Sequence, residues 1–363
     1  MNKLKILFSM PSQTHVEIAV DEIEGLRDHG YDCDQFPFAA KDSNGSQLSR
    51  IQMILKNAFN LVKVAYRFQP DVIYLNSRLE VLPTIRDFLT IVIFKASYHK
   101  KVRFFLKSHG SDLEVLESKN FLVSKITLPY LRKNISGWLF LSTEERNKVA
   151  KNGYLSPKRI FVTKNIVRTN QFKIDSGFRT RLNIPLDHKI LLFSGRIIRE
   201  KGIYEVIEAF SQIGEGYKTT LIVVGGGGEL ENIKGLASVL AAGDRVIFTG
   251  FIPEPEVVEF YANSDILVFP TYFPEGFSMA LFNSVGAGLA IITTPTRAAT
   301  DFLSDPENCI WVKSQDSGSV ANALNTLLGS EKLMRTMKTN NIMKARLFSK
   351  EQVSSELSEI IEL

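Results

Sequence analysis

The sequence predicts an α/β protein of two Rossmann-like, doubly wound parallel-sheet domains facing each other across a cleft. Three observations predict it. At 363 residues the chain exceeds what one ordinary hydrophobic core supports. Short apolar, β-branched runs alternate with amphipathic helical stretches throughout, and right-handed crossovers turn that rhythm into parallel sheets covered on both faces. The rhythm lapses once near the middle and then restarts.

In the first half, strands are expected at 5–8, 32–36, 72–75, 102–106, 138–141 and 160–162, with helices between them such as 16–29, 51–68 and 143–152. The polar stretch 165–187, with Asp175-Ser176-Gly177 and Ile184-Pro185, reads as the connection. Strands follow at 190–194, 219–224, 246–248, 266–269, 290–293 and 309–312, with helices at 202–213, 229–240, 255–263 and 317–328. The domains are accordingly placed at 1–168 and 169–346. In such sheets ligands bind beyond the carboxyl ends of the strands.

A composition of 44% hydrophobic and 23% charged residues is that of a soluble globular protein and suggests neither disorder nor low complexity, and the sequence shows no internal repeat at solenoid periods. The net charge is only +5. Its distribution is uneven: residues 1–168 hold 26 Lys+Arg against 16 Asp+Glu, or +10, and the rest hold 18 against 23, or −5. The first half therefore either meets something anionic or carries a solvated basic surface. Cys33 and Cys309 match no metal spacing and read as small buried residues of a reducing compartment. The apolar start at 4–8 is too short for a signal sequence, and the run 88–94, bounded by Asp87 and Lys95, is far short of a membrane span. The expectation is a cytoplasmic protein, soluble or peripheral at the inner face of the membrane.

Three strand-to-helix loops look chemical. After the strand ending at Pro270, a Pro/Gly loop carries Glu275 and Gly276, and a helix is expected from near Phe277. The free amides of Phe277, Ser278 and Met279 would lie at a positive helix end suited to phosphate. Glu275 there either accepts hydrogen bonds from sugar hydroxyls or simply complements the helix dipole. Ser194-Gly195-Arg196 through Lys201-Gly202 follows the first strand of the second half. Arg196 and Lys201 sit where a diphosphate would be neutralised, or are merely solvated cations. Gly225 to Gly228 let a backbone approach closely or form a floppy turn. The first domain lacks a GxGxxG fingerprint with an acidic ribose partner, so a dinucleotide dehydrogenase is poorly supported.

These elements appear in one order over roughly 189–345, with Thr249-Gly250-Phe251 and Ser264-Asp265 through Pro270 between them. Together they resemble the retaining family 4 glycosyltransferases of the GT-B fold, the glycosyl transferases group 1. The resemblance implies a transferase moving a sugar from a nucleoside-diphosphate sugar to a hydroxyl of a glycan or lipid-linked acceptor, with retained configuration, without metal or other cofactor, in surface polysaccharide assembly. It further implies that the segment 347–363, which begins Leu347-Phe348-Ser349-Lys350, packs back on the first domain. Carried over by position, Arg196 and Lys201 meet the diphosphate and Glu275 the donor sugar. The amides of Phe277 and Ser278 hold phosphate oxygens, and the backbone around Phe251 meets the base. Gly195, Gly225 and Gly276 belong to the same donor loops. His109, in Lys107-Ser108-His109-Gly110-Ser111-Asp112, would reach across the cleft to the donor, or be a hydrogen-bonded structural histidine. Glu275, His109, Arg196 and Lys201 are the expected catalytic set.

Two departures stand out. The family has a second Glu eight positions after the first, on the ribose hydroxyls, where this chain has Asn283. Many members carry a Gly-Gly loop where this chain has 9–15, ending in His15, an acceptor-side residue or a helix-entry surface histidine. These departures motivate a rival reading, a catalytically silent relative that binds sugar nucleotide or supports a partner transferase. A sugar-nucleotide epimerase is a further rival on the same architecture. The basic, aromatic stretches 86–107 and 119–133 either dock at an anionic bilayer or present solvated lysines over a core. Nucleic acid is not expected as a partner, because no recognised module accompanies the charge.

Overall fold

The computed structural model describes residues 3–11, 16–38, 47–110, 113–151, 153–213, 216–240 and 242–363. The chain folds as two compact units: Met1–Ile166 with Lys350–Leu363, and Val167–Ser349.

The first unit runs β1 Lys5–Met10, α1 Val16–Asp28, β2 Asp32–Pro37, α2 Gln47–Phe68, β3 Val72–Ser77, α3 Val81–Ser97, β4 Arg103–Ser108, α4 Leu128–Asn134, β5 Gly137–Phe140, α5 Thr143–Lys151 and β6 Ile160–Val162. The strands form one parallel sheet in the order β2-β1-β3-β4-β5-β6. Its residues alternate between two cores, as the period of two requires. Leu7, Ile73, Leu75, Phe104 and Leu106 face one side, with Leu61, Ile91 and Phe94 from α2 and α3. Ile6, Phe8, Val72, Tyr74 and Phe105 face the other, with Ile23 and Leu26 of α1.

The second unit runs α6 Phe178–Arg181, β7 Lys189–Ser194, α7 Ile203–Gln212, β8 Thr219–Val224, α8 Leu230–Val239, β9 Val246–Gly250, α9 Glu254–Ala262, β10 Ile266–Phe269, α10 Met279–Gly286, β11 Ala290–Thr293, α11 Arg297–Phe302, β12 Ile310–Trp311, α12 Ser317–Leu328 and α13 Glu331–Ala345. Its parallel sheet has the order β12-β11-β10-β7-β8-β9. Strand order reverses between β7 and β10, so the crevice at their carboxyl ends is the topological switch point. The last helix, α14 Lys350–Glu362, belongs to the first unit, where Leu357 and Ile361 join the core that α1 covers. Its Glu362 accepts a hydrogen bond from the Tyr31 hydroxyl at 2.5 Å.

Some expectations change. The helix expected near Phe277 begins at Met279, because Ser278 is extended and serves as its N-cap. The strand expected at 309–312 shrinks to Ile310–Trp311. The stretch 86–107 is not one docking segment. Arg86 lies inside α3 and Lys107 inside β4, and both are buried ion-pair partners. Both cysteines are buried, and burial pushes the Cys33 thiol up to about 12, away from thiolate chemistry. No helix among the described residues is long and apolar enough to cross a membrane.

Candidate active site

The carboxyl edge of the second sheet is assembled by backbone. After β7, the Gly195 amide donates to Val224 O at 3.0 Å and the Ile197 amide to Gly226 O at 2.9 Å. The Gly225 amide donates to Gly250 O at 2.9 Å, joining the loop after β9. A Cβ on Gly225 would lie 1.8 Å from Gly195 O, and one on Gly227 2.2 Å from Ile197 O. The glycine run is therefore a close packing of loops, not a floppy turn. Phe251 follows β9 and is 79% exposed beside Gly226.

The two loops flanking the switch point are pinned together as well. The Glu200 carbonyl accepts from the amides of Tyr272 and Phe273, each at 2.9 Å. Gly202 has φ +78°, and a Cβ there would sit 2.3 Å from Pro270 O. This closeness brings the Lys201 ammonium onto the Glu275 carboxylate as a largely buried ion pair. The same ammonium stands 4.6 Å above the Phe273 ring, and the Arg196 guanidinium 5.1 Å from it. Lys201 and Glu275 neutralise each other. Arg196 is exposed and has no carboxylate partner among the described residues, so it is an uncompensated cation of this edge. Phe273, which the sequence reading passed over, is the surface on which both cations rest. An aromatic two residues before an acidic residue at a strand end was the available signal.

Gly276 is buried, and Phe277 stacks on Phe282 at 3.7 Å with Phe348 at 5.7 Å, anchoring the start of α10. The first turn closes through the Phe282 amide on Ser278 O at 3.0 Å, and Ser278 gives no side-chain cap. No acceptor for the amide of Phe277 or Ser278 is found among the described residues, which leaves the helix start open to an anion. One turn on, the Asn283 Oδ1 is buried and has no hydrogen-bond partner among them either.

The carboxyl edge of the first sheet is made of side chains. His109 follows β4; its amide donates to Ser77 O at 2.9 Å and its Nε2 lies 2.8 Å from Asn76 Oδ1. Asn76 Nδ2 donates to Ser9 O at 3.0 Å, which turns Oδ1 toward the imidazole and fixes Nε2 as the protonated nitrogen. Below, Ser77 donates to Asp87, and Arg86 donates to Asp87 at 2.9 Å and stacks 4.0 Å over Phe38. Burial raises the Asp87 pKa, against the opposing pull of Arg86. Lys107 is fully buried, on Glu22 at 2.6 Å and on Asn165 at 2.7 Å. None of Asn76, Ser77 or Glu22 was singled out from sequence, and Arg86 only as the start of a basic stretch; polar residues closing an apolar strand, as Asn76-Ser77 do, were the signal. Ser12 to His15, Ser111 and Asp112 lie outside the described residues. No group of three or more His, Cys, Asp or Glu side chains among the described residues is placed to hold a metal ion.

Two six-stranded parallel sheets with helices on their faces define the GT-B fold class of glycosyltransferases. Residues 176–343, within the second unit, match the model of the family described as glycosyl transferases group 1. The chain is similar to the capsular polysaccharide biosynthesis glycosyltransferase CapM of Staphylococcus aureus, 27% identical over 201 residues, covering 54% of this chain and 50% of that one. It is 30% identical over 198 residues to a D-inositol 3-phosphate glycosyltransferase of Acidothermus cellulolyticus, covering 51% and 44%. The chain spans about half the length of such curated relatives. Among solved structures, Anabaena Alr3699/HepE in complex with UDP and glucose has a TM-score of 0.76 at 17% identity, covering 99% of this chain and all of that one.

Proposed function

We propose that the chain is a retaining glycosyltransferase that moves a sugar from a nucleoside-diphosphate sugar to a hydroxyl of a glycan or lipid-linked acceptor, without a metal or other cofactor. The observation that carries this reading is the Lys201–Glu275 pair with Arg196 and the open start of α10, gathered at the switch point of the second sheet. Arg196, Lys201 and the amides of Phe277 and Ser278 stabilise charge on the leaving diphosphate. Glu275 positions the sugar hydroxyls. The acceptor hydroxyl attacks on the face the nucleotide leaves and gives its proton to the departing phosphate oxygen. The unpartnered Asn283 Oδ1 accepts a ribose hydroxyl in place of the family's carboxylate. His109, with Nε2 held by Asn76, orients the transferring group.

The relative solved with UDP and glucose makes UDP the first nucleotide to test. CapM and a relative from Campylobacter jejuni that acts on a diphospho-undecaprenol-linked sugar support a role in surface-glycan assembly. Helix α2 carries Arg50, Lys56, Lys63 and Arg67 with no acidic residue, and exposes Ile51, Leu55 and Phe59. The segment Leu122–Thr127 with its N-cap Phe121 exposes Phe121, Leu122 and Ile126 beside Lys119 and Lys125. These surfaces suit an anionic bilayer holding the acceptor.

A thermal-shift screen against nucleoside diphosphates and their sugars tests the donor site, since ligand at a hundred times its dissociation constant stabilises by about 2.7 kcal/mol. Asn283 motivates the alternative of a silent relative. That alternative predicts a nucleotide shift without sugar transfer or donor hydrolysis, or, for a relative that only supports a partner transferase, no shift; no shift at all in folded protein removes the transferase reading and favours the silent relative.

A further inference from the structure

The first unit holds a second polar pocket, on the edge opposite its candidate site. Arg132 lies in the last turn of α4, just before β5, and the 153–159 connection leads into β6, so both mark the amino ends of the strands. Between them is a cavity of about 310 Å³ lined by Arg132, Arg159, Tyr154, Ser156, Gly153 and Trp138 among others, and by no acidic residue. The Arg132 guanidinium stands 5.4 Å over the Tyr154 ring, and its Nε is buried without a hydrogen-bond partner. The Arg159 side chain makes one hydrogen bond among the described residues, from Nη1 to Ile135 O at 3.1 Å. Neither arginine has a carboxylate partner among the described residues.

A buried guanidinium N–H without an acceptor is costly, and two cations lining one acid-free cavity repel each other. Placement at the C-terminus of α4 accounts for a positive charge at Arg132, since the helix dipole favours it there. It does not account for the unmet Nε or for the second arginine. Both are explained by an oxyanion that bridges the two guanidinium groups, with the exposed Ser156 hydroxyl as a further donor. We propose that this pocket binds a phosphate group, inorganic or on a small soluble phosphomonoester, independently of the donor site on the second unit. Burial also lowers the Arg132 pKa from its ordinary value, as expected of a desolvated cation with no facing carboxylate.

The pocket carries its own reporter. Of the two tryptophans, Trp138 lies in the pocket wall, so Trp311→Phe leaves it as the single emitter. Inorganic phosphate titrated into that protein at constant ionic strength should give a saturable change in Trp138 emission. Arg132→Gln should weaken it by on the order of tenfold, the effect of one charge-assisted hydrogen bond. Ser156→Asp, on an exposed residue, should abolish it by placing a carboxylate against the arginines while preserving the fold. Arg196→Gln, in the donor site, should leave it unchanged. A response that follows ionic strength, survives both pocket variants, or disappears in Arg196→Gln overturns the proposal. Sedimentation with phosphatidic-acid vesicles that depends on Arg132, without any response to free phosphate, overturns the soluble ligand in favour of a lipid headgroup.

Discussion

The carboxyl edges of the two sheets are built by opposite means. At the second, three loops are laced by main-chain hydrogen bonds and glycine contacts, and Arg196, Lys201 and Glu275 are among the charges they carry to the opening. At the first, side chains hold one another: Asn76 on Ser9 and His109, Asp87 on Ser77 and Arg86, Lys107 on Glu22. A main-chain cradle suits a group as invariant as a diphosphate. A side-chain edge can change one residue at a time, as recognition of varied acceptors requires.

The largest expected effect tests the charged part of the second edge. Lys201→Ala should lower turnover by roughly 100- to 1,000-fold, the scale of losing one preorganised electrostatic contact in the transition state. A rate within about tenfold of the parent, measured with the donor that the thermal screen identifies, would show that this edge does not work by charge.

At the first edge the effect should be on stability. Lys107→Met strands the fully buried Glu22 carboxylate and should cost about 3–5 kcal/mol in urea unfolding. Adding Glu22→Leu should recover most of that loss, because the pair is then replaced by apolar contacts. No recovery would mean that Lys107 acts mainly through Asn165.

Gly202→Ala comes next. It forces a side chain into φ +78° and against Pro270 O, and should cost about 1–3 kcal/mol while loosening nucleotide binding. Equal binding with only a lowered melting midpoint would detach the lacing of the loops from their function. The smallest change is Asn283→Glu, expected to tighten nucleotide binding by about 1 kcal/mol through a charge-assisted bond to the ribose. Isothermal titration that finds weaker binding would remove Asn283 from the ribose.

This contrast also explains what could be read from the chain before its structure. Central strands such as Ile266–Phe269 follow from apolar runs, because a strand covered on both faces must be apolar throughout, whereas the edge strand Asp32–Pro37 follows only from alternation. The strand-end loops of the second unit were legible because glycines and cations stand out there against the apolar strands. Phe273 was missed, since its part depends on Arg196 and Lys201 meeting over one ring from a loop some seventy residues away. The pairing of Glu22 with Lys107 was illegible for the same reason: α1 and β4 meet only in space. The basic stretch 86–107 misled because charge along a sequence does not reveal which cations are turned inward.

The position of α14 bears on how the molecule is made. Residues 167–349 can complete their core as soon as they leave the ribosome, and folding by units during synthesis is the usual course. The earlier-made unit must wait, because Leu357 and Ile361 seal the apolar face that Ile6, Phe8 and Tyr74 present. The core around Ile6, Phe8 and Tyr74 is thus closed by a helix that follows the whole second unit in sequence, so its completion depends on contacts that span more than 300 residues.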